Sequence, residues 1–313
     1  MGGEERQRLT GTDLRWKTWG PYLSERAWGT VREDFSEHGD AWDHLSHDDA
    51  RSRTFRWSED GLGGICDASQ ILCLAFAFWN GADPILKERI FGLTGNQGNH
   101  GEDAKEYWWY LDSTPTHSWM RWRYRYPQAA FPYQDLIDEN RRRGKQAPEY
   151  ELVDTAVFDG DRYFDVTADY AKASPDEIHV RLRIRNAGPD EARIDVLPTL
   201  WFRNTWSWDG RAGVDGHRPA ISSAEGGLVA QHPTLGRMVL NGDGAPQPLF
   251  CDNESNARRL WGVEGSTPYP KDGIGDHVVA GSPTVNPDGT GTKASLWYRL
   301  RLGPGHTEEI RLV

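Results

Sequence analysis

The segment from Ile178 to Arg185 constrains the fold more than any other: Ile178, Val180, Leu182 and Ile184 alternate with His179, Arg181, Arg183 and Arg185. A period of two sends successive side chains to opposite sides of an extended chain, so this is a strand with one apolar and one wet face. The pattern recurs where Met120, Trp122, Tyr124 and Tyr126 oppose Arg121, Arg123 and Arg125, and where Leu296, Tyr298, Leu300 and Leu302 oppose Trp297, Arg299 and Arg301. Ile194 and Val196 alternate just after the Asn186 to Asp190 turn, so 193–202 is expected beside 178–185 in a meander. Further strands are expected at 53–57, 64–66, 71–80, 107–112, 163–170, 228–231 and 237–241. The pairs Asp60-Gly61, Asn80-Gly81, Asp159-Gly160, Asp209-Gly210, Asp272-Gly273 and Asp288-Gly289 supply the positive φ that tight turns need. Short strands in this number predict an all-β chain of two large antiparallel sheets packed face to face.

Helix is expected to be minor, one or two short pieces, the clearest from Pro132 to Arg143 with Gly144 to close it. Residues 1–50 are polar and aromatic without a sustained period and read as an ordered arm packed on a sandwich that occupies 51–313. The alternation resuming at Ile310 to Val313, where the sequence stops, leads us to expect a piece of a longer protein.

A net charge of -11 disfavours nucleic acid or an anionic membrane as partner, since both would repel the chain at long range. The longest apolar run, Ile71 to Trp79, falls short of the roughly 20 residues of a membrane helix. Three cysteines and no apolar stretch after Met1 give neither a disulfide framework nor a secretory leader, so a cytoplasmic location is expected. No phosphate-binding loop, dinucleotide fingerprint or cysteine pair of zinc spacing occurs, and no cofactor is expected. His44 and His47 beside Asp48 and Asp49 have a metal-compatible spacing, but their polar, loop-like surroundings argue against a metal.

Fifteen tryptophans in a chain that is only 37% hydrophobic need a use. Indole faces fill thick cores, and they also stack on the C–H faces of sugar rings while nearby polar groups bind the hydroxyls. Three segments mix the two. Trp19 to Ser36 offers Trp19, Tyr22 and Trp28 as ring surfaces with Glu25, Arg26, Arg32, Glu33 and Asp34 as partners for hydroxyls. Gly98 to Tyr133 opens with a loop carrying His100, Glu102, Asp103 and Glu106, then Trp108 and Trp109, which must face opposite sides of a strand. Val196 to Gly210 runs into a turn holding Trp206 and Trp208. Glycosidic hydrolysis needs two flanking carboxyls, and Glu25, Glu33, Asp34, Glu102 and Glu106 are available, but with 47 Asp and Glu such proximity is expected by chance.

The segments WGPYLSERAWGTVREDFS, GEDAKEYWWYLDSTPTHS and VLPTLWFRNTWSW resemble the N-terminal part of large bacterial proteins of glycoside hydrolase family 63, the family of the mannosyl-oligosaccharide glucosidases. That resemblance implies a galactose mutarotase-like β-supersandwich followed by a catalytic (α/α)6 barrel that inverts the anomeric carbon. It implies that the acid and base lie on the barrel, outside this chain, so no catalytic residue is carried over. It implies also that sandwich loops help shape the site for an α-linked glucoside. Phe35 stands where the family motif leads one to expect Tyr. Two alternatives stay open: a stand-alone carbohydrate-binding module, and a mutarotase-like isomerase using His100 with Glu102 or Glu106.

Overall fold

In the computed structural model, which describes residues 3–24, 37, 44–54, 60–207 and 218–313, the alternating segments pair into two facing antiparallel layers. The first layer is a six-stranded sheet in the order β1 (Trp19–Tyr22), β2 (Leu62–Asp67), β3 (Leu72–Trp79), β10 (Ala192–Phe202), β16 (Lys293–Leu302), β14 (Gln247–Cys251). The second contains a five-stranded sheet, β17 (Thr307–Leu312), β9 (Glu177–Asn186), β8 (Tyr163–Ser174), β7 (Trp119–Pro127), β6 (Tyr107–Ser113). A four-stranded sheet, β13 (Gly236–Asn241), β12 (Gly227–His232), β11 (Ala220–Ala224), β15 (Thr290–Gly291), continues that layer. The two sheets join where Asn241 and Val313 exchange backbone hydrogen bonds of 2.8 and 3.0 Å. A two-stranded ribbon, β4 (Gly92–Leu93) with β5 (Asp103–Ala104), lies apart. The chain is thus an all-β antiparallel sandwich, and among the described residues no helix is long and apolar enough to cross a membrane.

The core forms as the alternation requires. Trp122, Tyr124 and Tyr126 of β7 stack in file with centroids 5.7 and 5.9 Å apart, and Phe78 of β3 meets Tyr124 from the facing layer at 6.0 Å. Val180, Leu182 and Ile184 of β9 are buried with them. β3 is apolar without alternation because both its faces are covered. Phe76 and Phe78 point between the layers, while Ala77 and Trp79 meet Ile274 and Val278 of an outer helix, Gly273–Ala280.

The structure differs from the expectations in particular places. β9 and β10 do not form a meander: β9 pairs with β8 and β17, β10 with β3 and β16, so the 187–191 loop carries the chain from one layer to the other. Asn186 fixes that crossing, its amide donating to Asp190 O (2.7 Å) and Leu302 O (2.8 Å). Asp272-Gly273 is not a hairpin turn but the start of the helix Gly273–Ala280, whose Ile274 and Val278 have the i, i+4 spacing of one helical face. Arg53 and Thr54 lie in no strand, and the rest of the 53–57 segment is outside the described residues. Helix is also more widespread than expected. Besides Tyr133–Arg143, for which Pro132 is the N-cap, there are Gly3–Thr10, His47–Ala50, Ala257–Trp261 and Gly273–Ala280. The N-terminal region contributes β1, the edge strand of the six-stranded sheet, rather than only lying against it.

Candidate functional site

The connection from β14 back to β15 and β16 builds a hollow. On leaving β14, Asp252 accepts hydrogen bonds from Thr292 N (3.1 Å) and the Thr267 hydroxyl (2.7 Å), which ties both ends of the connection to the sheet. Asn256 then caps a one-turn helix, Ala257–Trp261, by accepting from Arg259 N, and Gly262 ends it at φ 69°. Between this helix and Gly273–Ala280 the loop encloses a cleft of about 820 Å³, lined by Asn256, Arg258, Glu264, Ser266, Thr267 and Asp272 among others.

Its neighbouring wall is a hydrogen-bonded set centred on Glu254. Glu254 accepts from Trp206 Nε1 (3.0 Å), from Arg218 (2.6 Å) and from the Ser266 hydroxyl. The same Arg218 nitrogen reaches Asp252 at 2.9 Å, and its guanidinium lies over the Trp206 ring at 5.5 Å. Two carboxylates therefore stand on either side of one cation. Both are held as acceptors, and neither is a free acid facing the hollow. An indole, a guanidinium, carboxylates and hydroxyls so arranged suit a ligand rich in hydroxyls.

Behind the cleft lies a buried ion network. Asp60 pairs with Lys271 (2.6 Å) and Arg89 (2.9 Å), and Glu88 with Lys293 (2.9 Å). Burial alone would raise the Asp60 carboxyl, but the Lys271 and Arg89 charges outweigh it and hold it at about 2. The network clamps the 271–272 corner to β16 and to the 51–54 segment, since Lys271 also donates to Arg53 O (2.8 Å) and Asp272 accepts from Ser52 and Asn256.

A second cleft, of about 390 Å³, is lined by Leu45, His47, Ile85, Phe91 and Tyr133. A hollow of about 100 Å³ shares Asp272 and Asp276 with the first cleft and Pro84 and Ile85 with the second, so it adjoins both. His47 packs on Phe91 and Tyr133 with centroids 5.2 and 5.1 Å away. Burial, with Arg89 and Lys87 near, holds its imidazole well below the ordinary histidine range. Below about pH 6.5 the unfolded chain binds a proton there that the folded chain refuses, so stability falls as pH falls through that value. We expect a loss of about 2 kcal/mol between pH 7 and 5 in urea titrations that His47→Leu abolishes.

The expected site residues separate. Trp19 is buried between the layers, and Tyr22 is buried edge-on against Trp201 at 5.7 Å, so neither is an open stacking surface. Glu25, Arg26, Trp28, Arg32, Glu33 and Asp34 lie outside the described residues, as does Trp208. His100 is exposed, with one ring nitrogen at 3.2 Å from Ala147 O and the other at 3.5 Å from Glu149. Glu106 is inside the sandwich, accepting from Lys87 (2.8 Å), Phe91 N (2.6 Å) and the Tyr124 hydroxyl. Glu106 is therefore not set against His100, because Glu106 turns into the sandwich while His100 lies on the exposed 95–101 loop, which folds against 140–151. Gly98 permits that approach: at φ 91°, a Cβ there would come within 2.2 Å of Asn140 O. Asp103 joins Glu149 and Glu151 around the Lys105 ammonium, at 3.3, 2.7 and 2.7 Å, so the cation in that carboxylate cluster is a lysine. Glu102 is half-buried, and Trp108 packs half-buried on the core while Trp109 is exposed.

Sequence reasoning missed Arg218, Asp252, Glu254, Ser266 and Asp272. The available signal was the pair of helix N-caps, Asn256 and Asp272, flanking a glycine- and proline-rich loop.

No family model matches the chain. It is 41% identical over 333 residues to the Saccharomyces cerevisiae protein named "Uncharacterized protein YMR196W", a match that covers 95% of this chain and 30% of the yeast protein's length. Among solved structures, a polysaccharide lyase is similar at 12% identity with a TM-score of 0.32, covering 76% of this chain and 32% of the other.

Proposed function

We propose that this chain is the sandwich unit of a cytoplasmic α-glucosidase-like glycoside hydrolase of the family 63 kind, which helps to hold an α-linked oligosaccharide for an acid and base carried outside it by a helical barrel. The observation that carries the reading is the wall beside the 820 Å³ cleft, where Trp206, Arg218, Asp252, Glu254 and Ser266 are bound to one another as acceptors and donors. Such a wall can exchange hydrogen bonds with sugar hydroxyls, but it holds no proton ready for a leaving oxygen. The three motif segments support the family.

Titration with maltose tests this. Tryptophan fluorescence should change saturably at millimolar sugar, and Arg218→Met, which frees Asp252 and Glu254, should weaken binding about five- to tenfold, the worth of one charged hydrogen bond. A folded chain whose fluorescence ignores millimolar maltose contradicts the reading.

A further inference from the structure

The outward face of the five-stranded sheet gathers Arg121, Arg123, Arg125, Arg181, Arg183 and Arg185 in a chain whose net charge is -11. Around Trp109 the register places Arg123 opposite Trp109 and Arg125 opposite Tyr107, and beyond β8 places Arg185 opposite Asp165 and Arg183 opposite Thr167. Strand spacings of about 4.8 Å and a two-residue repeat of about 6.7 Å put these four side chains at the corners of a rectangle roughly 7 by 10 Å. Asp165 lies between them and is taken by Arg123, and Arg183 reaches Asp169 at 3.5 Å, an acid that Arg121 and Arg181 also hold. Arg125 and Arg185 have no carboxylate within ion-pair distance among the described residues, and Arg185 is exposed. Glu309 at the far edge is engaged by Arg311.

Beside the cations lies an aromatic floor. Tyr107 and Trp109 are nearly parallel (12°) with centroids 6.4 Å apart, and Trp109 is 38% exposed. The guanidiniums of Arg123 and Arg125 stand 5.7 and 5.8 Å from the Trp109 ring, and Arg125 also 4.8 Å from that of Tyr163. Guanidinium forks match carboxylates, and open ring faces match the C–H faces of sugars. We propose that this face binds an acidic glycan whose rings bear carboxylates, a surface separate from the cleft and independent of the reading given to it. Charge complementarity selects the anion, and the paired rings select a sugar chain over an acidic peptide.

Affinity electrophoresis of the whole chain through gels containing polygalacturonate, amylose or polyglutamate tests the proposal. At 50 mM NaCl polygalacturonate should retard the protein about tenfold more strongly than amylose, and the retardation should drop about tenfold by 200 mM as counterions compete. The double variant Arg125→Gln/Arg185→Gln should lose about tenfold and Trp109→Ala several-fold, at unchanged melting temperature. Arg218→Met should leave this binding untouched. Equal retardation by amylose, wild-type retention by the arginine variant, or polyglutamate binding as tight as polygalacturonate and indifferent to Trp109→Ala would each overturn it. Should the double variant fold poorly, the salt series on the unaltered protein and Trp109→Ala decide.

Discussion

Replacing Lys87 by methionine is expected to destabilise the fold by about 3–5 kcal/mol. Lys87 and Glu106 are fully buried and paired at 2.8 Å, and the ammonium lies 3.9 Å from the Phe131 ring centre. Methionine keeps most of the stem's packing, so the loss is that of a charge whose removal strands a carboxylate away from water. Glu106 would keep Phe91 N and the Tyr124 hydroxyl as donors, which offsets only part of the cost. Lys87→Met/Glu106→Gln should therefore recover much of the stability, because an uncharged amide is left in place of the carboxylate. Urea midpoints of the three proteins check this, and a single variant as stable as the parent would show that the pair is not buried as described.

A comparable loss, about 3–5 kcal/mol, is expected for Phe78→Ala. Phe78 is fully buried on β3 and meets Phe76, Tyr124 and Tyr126 with centroids 6.4, 6.0 and 6.4 Å away, so it bridges the two layers at the aromatic file. Tyr124 and Tyr126 on β7 and Phe76 on β3 are held by the strand ladders and cannot all close on the vacancy. Phe78→Leu should cost markedly less by refilling most of it. Thermal or urea unfolding distinguishes the two, and equal costs would mean that the space collapses.

Where one face of a strand is buried and the other wet, the sequence could be read directly. Met120 to Tyr126 and Ile178 to Arg185 form the strands and faces that their alternation dictates, and Trp108 and Trp109 divide as a strand requires. Alternation does not say which layer a strand joins, because the inward faces of both layers look alike; hence β9 and β10 were assigned as neighbours although they lie in different sheets. Turn chemistry misled at Asp272-Gly273, since Asp before Gly suits a hairpin and a helix start equally until the partner of Ile274 is known. The candidate site was least legible. Arg218, Trp206, Glu254 and Ser266 are distant in sequence and meet only because the outer loop folds back across β14. Asp103 and Glu106, expected among the hydroxyl-binding loop residues, instead help neutralise buried lysines, Asp103 at Lys105 and Glu106 at Lys87.

The division between holding a sugar and cutting it is tested most directly by incubating the pure chain with maltose at saturating concentration and following glucose release. The account predicts release no faster than in buffer while the sugar perturbs tryptophan emission. Steady release that Arg218→Met or Glu254→Gln abolishes would place the acid and base inside this sandwich and contradict it.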